Sequence, residues 1–114
     1  MIEIKGVDPT MIANNLVPEN PTHPGEVLKE ELESRNITQK SFADKTGLSR
    51  SVVSEVLNGR RGVNTEYALL FEAILGIDAE LWLRMQARYD MAKVKRNKSF
   101  MERLENIRKV AAAF

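Results

Sequence analysis

The chain of 114 residues contains no cysteine and only one histidine, His23. Without thiols there is no disulfide framework and no Cys-rich zinc site. A lone imidazole argues against most metal sites and against His-based catalysis, and it has no cysteine to activate. No phosphate loop of the GxxxxGK[ST] kind is present. No apolar run approaches the roughly 20 residues of a membrane span. The opening MIEIKGVDPT lacks the basic and then apolar layout of a signal peptide. These absences lead to the expectation of a soluble cytoplasmic protein that is not an enzyme, with no metal and no cofactor.

The net charge of +1 hides a pattern. Residues 1–36 carry seven acids against three bases, and residues 63–83 carry four acids and no base. Residues 37–62 carry five bases against two acids, and residues 84–114 nine against three. Basic surface suits an anion and acidic surface a basic partner. An uneven but merely solvated surface is the plainer alternative.

Residues 1–22 read as an irregular arm, broken by Pro9, Pro18 and Pro21, with room for one helical turn near 10–16. A run of short helices follows. Pro24 suits a first helical position, where its missing N–H would be unpaired anyway, and Glu26 complements the helix dipole. A helix over 24–35 results, with His23 at its start as a cap and Val27, Leu28 and Leu32 inward. Thr38 caps a second helix over 39–46, and Gly47 supplies the left-handed turn that ends it. Ser49 caps a third over 50–57, closed by Asn58-Gly59. Asn64 caps a fourth over 65–75, and Asp78 a fifth that runs to about Ala92. On the fifth, Leu81, Met85 and Tyr89 share a line with Trp82 beside it, which suits core or a dimer seam.

Lys93, Lys95, Arg96 and Lys98 read as a basic connector. Ser99 and Glu102 fit the capping box of a last helix. On it Phe100, Leu104, Ile107, Ala111 and Phe114 recur at alternating steps of four and three, which is one helical face. The fold class is all-α, divided into an arm at 1–22, a domain at 23–92 and a tail at 93–114.

The functional signal is the ordered string Gln39, Ala43, Gly47, Ser49, Val53, Ser54, Asn58, Gly59. Ala43 and Val53 let two helices cross closely, Gly47 makes the turn between them, and Ser49 caps the second. That is a helix-turn-helix pattern. The second helix then presents its N-terminal turn, the part that reads bases in a major groove.

Three stretches carry a resemblance: HPGEVLKEEL, QKSFADKTGLSRSVVSEVLNGRRG, and ALLFEAILGIDAELWLRMQARYD. They resemble the lambda-repressor-like, Xre-type helix-turn-helix domain and, more narrowly, the HigA family of antitoxins. The resemblance implies a five-helix DNA-binding domain, here with an additional C-terminal helix. It implies a homodimer on a palindromic operator in its own promoter. It also implies a cognate HigB-like toxin of RelE-type fold that cleaves mRNA on the ribosome.

Carried onto this sequence, Gln39 matches a phosphate contact; Ser49, the cap of the recognition helix, is a further DNA-binding candidate. Arg50 and Ser51 match the base-facing start of the recognition helix, and Ser54 and Glu55 its next turn. Asn58, Arg60 and Arg61 match the phosphate-facing loop. Glu55 fits DNA poorly; it either accepts from a cytosine amino group or only orients an arginine. Trp82, Met85, Tyr89, Phe100, Leu104 and Ile107 are the candidate dimerisation residues. A stand-alone Xre-type regulator without a toxin, and a protein-binding module on the same fold, are the alternatives.

Overall fold

A computed structural model describes residues 21–113; the expected arm, apart from its last two residues, and Phe114 lie outside the described residues. The described residues form six helices and no strand. They are α1 (Pro24–Ser34), α2 (Gln39–Thr46), α3 (Arg50–Leu57), α4 (Thr65–Leu75), α5 (Ala79–Lys95) and α6 (Lys98–Ala111). One unit covers Thr22–Tyr89, and a second holds the residues from Asp90 on, so the division falls within α5.

Local chemistry sets most of the boundaries. Thr38 Oγ1 accepts from the Ser41 N–H at 3.0 Å, Ser49 Oγ from Val52 at 3.1 Å, and Asn64 Oδ1 from Tyr67 at 2.8 Å. Each satisfies one of the amide donors that a helix start leaves unpaired. Gly47 ends α2 at φ 79°, a left-handed conformation that costs a residue without Cβ little. At α5 the cap comes from another helix. The Glu72 carboxylate of α4 accepts from the Ala79 N–H at 3.1 Å, while the Asp78 carbonyl accepts from the Trp82 N–H at 3.4 Å.

The core of the first unit joins Leu28 and Leu32 of α1, Phe42 and Ala43 of α2, and Val53, Val56 and Leu57 of α3 to Phe71 and Trp82. Helix α3 packs on both α1 and α2, and α2 also on α4. Phe71 is the aromatic hub. Its ring centroid lies 5.5 Å from Phe42 and 5.3 Å from Trp82, the latter edge-on at 77°. Burying rings of this size dominates the energetics of a small domain.

Three expectations change here. Trp82 is fully buried in its own chain, so its side chain offers no surface to a second copy. Its place beside the Leu81–Tyr89 line turned it into the core, not onto a seam. The start of the last helix also differs. Asn97 is the cap, its Oδ1 accepting from Phe100 N–H at 3.0 Å, and Ser99 lies inside α6. Since α5 runs on to Lys95, Lys93 and Lys95 are helical and only Arg96 and Asn97 separate α5 from α6. Helix α6 itself buries no residue.

Candidate nucleic-acid interface

The candidate interface is built from the two ends of α3. Val53, Val56 and Leu57 fix one face of that helix in the core. The opposite face is thereby turned outward: Arg50 and Ser51 are exposed, Ser54 and Glu55 half-buried. Gln39 opens α2, and the α2–α3 crossing brings it beside them. Gln39, Arg50, Ser51, Ser54, Glu55 and Arg60 together line one shallow concave patch.

Ser49 stands at the edge as the α3 cap. Asn58 closes the helix, its main-chain N–H donating to the Ser54 carbonyl at 3.0 Å and its Nδ2 to Ser54 Oγ at 3.3 Å. The remaining predicted contact, Arg61, is turned onto Glu55. Its Nε donates to Glu55 Oε1 at 2.7 Å, and Nη2 lies 2.7 Å from the same oxygen. That hydrogen bond first, then the carboxylate's charge, raises the guanidinium above its usual range.

Three residues that support the patch have no role in the sequence reading of it, or only part of one. Gln86 of α5 accepts from the Val63 N–H through Oε1 at 2.8 Å and so holds the end of the loop after α3. Gly25 lets the start of α1 lie against the last turn of α3: a Cβ there would stand 1.8 Å from the Val56 carbonyl oxygen. The available signal was a glycine in a first helical turn, where it is locally unfavourable unless another backbone approaches closely. His23 does cap α1 as expected, Nδ1 accepting from the Gly25 N–H at 2.8 Å, but it is also buried behind Gly59.

The candidate seam residues divide. Met85 is partly buried against the core and Tyr89 packs on His23, whereas Phe100 and Ile107 are exposed and Leu104 half-exposed on α6. Among the described residues no cluster of His, Asp or Glu is placed to hold a metal ion, and no helix is long and apolar enough to cross a membrane.

A helix-turn-helix family model matches residues 28–82. Antitoxin HigA-1 of Vibrio cholerae is 41% identical over 73 residues, which are 62% of this chain and 68% of that protein. The chain belongs to the HigA-type helix-turn-helix family. A HigA-family antidote protein from Coxiella burnetii superposes on this HigA-type chain with TM-score 0.66 and 30% identity, over 74% of this chain and 94% of the other. A Pseudomonas aeruginosa protein solved in complex with its 18-base-pair operator DNA has TM-score 0.62 and 27% identity, over 65% and 81% of the two chains. Other relatives carry the names virulence-associated protein and HTH-type transcriptional regulator.

Proposed function

We propose that this chain is the antitoxin of a type II toxin–antitoxin pair and that, as a homodimer, it represses its own promoter. The observation that carries the DNA half is the gathering of Gln39, Arg50, Ser51, Ser54, Glu55 and Arg60 around one patch at the start of α3. A guanidinium there can pair bidentately with guanine O6 and N7, which is worth roughly 1–3 kcal/mol of discrimination. The α3 N-terminal turn and the Gln39 amide suit flanking phosphates. A dimer would place two such edges about one helical turn of DNA apart, roughly 34–36 Å.

The toxin half is supported by kinship with HigA proteins. Its partner is a HigB-like toxin of RelE-type fold, an mRNA-cleaving protein. Co-expression with the product of the adjacent gene tests it: the two should co-purify, and the complex should shift promoter DNA. Promoter binding without any co-purifying toxin decides for a stand-alone regulator. Loss of both, with no DNA affinity even at low salt, decides for a protein-binding module.

A further inference from the structure

Glu55 lies on the reading face, yet its carboxylate is occupied by Arg61. The Glu55 main-chain carbonyl is occupied as well, accepting from the N–H of Arg60 at 2.8 Å and of Arg61 at 3.2 Å. Farther along, Val63 is tied to Gln86, and a Cβ on Gly62 would stand 3.3 Å from the Gln86 amide. The turn that carries both arginines is therefore held at its start by Glu55 and at its end by Gln86. Among the described residues, Arg50 and Arg60 have no carboxylate partner.

We propose that Glu55 and Gln86 are positioning residues of the DNA interface and that Arg61 is the latch that Glu55 holds, leaving Arg50 and Arg60 to meet the nucleic acid. This rests on the DNA-binding reading above. A bare carboxylate beside phosphates would repel them; one neutralised by its own arginine does not. In exchange, the pair fixes Arg60 relative to Arg50, and the fixed spacing favours one DNA site over others. Glu55 is thus a specificity residue that touches no base, and Arg61 contributes shape instead of phosphate grip.

The number of phosphates neutralised is read from salt dependence, since log K falls against log[salt] with a slope of about 0.9 per phosphate. The probes are a duplex of the chain's own upstream promoter region and a scrambled duplex of equal length. Arg60→Gln should flatten the slope by about 0.9. Arg61→Gln should leave the slope at its wild-type value while weakening promoter binding several-fold. Glu55→Gln should release Arg61, steepen the slope and raise affinity for scrambled DNA, so that the promoter-to-scrambled ratio falls. Gln86→Ala should lower the same ratio without changing the slope.

Glu55 and Arg61 side chains are 40% and 43% exposed, so neither replacement empties the core. Circular dichroism confirms the fold of each variant. If Arg61→Gln flattens the slope as much as Arg60→Gln does, Arg61 is a phosphate contact and the latch is wrong. An unchanged or higher ratio in Glu55→Gln overturns the positioning role. Wild-type protein that binds neither duplex sinks the DNA-binding reading itself, a result distinct from either of these.

Discussion

The ring of His23 meets the ring of Tyr89 edge-on, with centroids 4.8 Å apart and planes at 82°. The same imidazole caps α1 and backs the turn at Gly59, so one side chain joins three parts of the first unit. His23→Ala removes a cap, worth about 1 kcal/mol, and an aromatic contact, worth about 0.5–1.5 kcal/mol. Asparagine is a good cap without the ring, so His23→Asn should recover the first part only. Denaturant midpoints of the two variants check this; equal losses would mean the cap contributes nothing.

Gly25→Ala should be destabilising although alanine is the better helix former. The new methyl would overlap the Val56 carbonyl, and neither partner is a movable side chain end. Overpacking of this kind costs on the order of 1–3 kcal/mol. A thermal melt reads it, and an unchanged Tm would show that α1 slides off α3 freely.

Replacing Arg50 and Ser51 together by alanine should abolish promoter-specific binding and leave the fold intact. Both side chains are exposed, so no core contact is lost. The measurement is a mobility shift with promoter and scrambled duplexes. Promoter affinity equal to wild type would place the recognition surface elsewhere.

The dimer seam is proposed on α6, where Ile107 is 51% and Val110 66% exposed on a helix with no buried residue. Ile107→Glu puts a charge into the stripe with Phe100 and Leu104 and should shift the protein toward monomer at micromolar concentration. Light scattering gives the mass. An undiminished dimer would move the seam off this helix.

Helices α2, α3 and α4 were legible because their signals are neighbours in the chain. Thr38, Ser49 and Asn64 each cap an amide three residues on, and Gly47 and Gly76 follow the last turns. The start of the last helix was less legible. The sequence points to Ser99 as the last cap, whereas Asn97, two residues earlier, holds it, and α5 runs to Lys95. Periodicity also shows that a helix has an apolar side without showing how wide it is, which is why Trp82 is legible as core or seam but not as one of the two. The proposed positioning residues are legible only in part: the charge of Glu55 fits DNA poorly, whereas Gln86 acts on a residue 23 positions away.

That separation makes the turn depend on a distant element. Helices α2 and α3, eight residues each, are too short to be stable alone and rely on packing. The turn after them is complete only with α5 in place, because the Val63 amide at its end is held by Gln86. A peptide cut to residues 38–62 would hold every proposed DNA-facing side chain and still lack the set turn. The proposed reading edge is completed by a helix that contributes no proposed base contact.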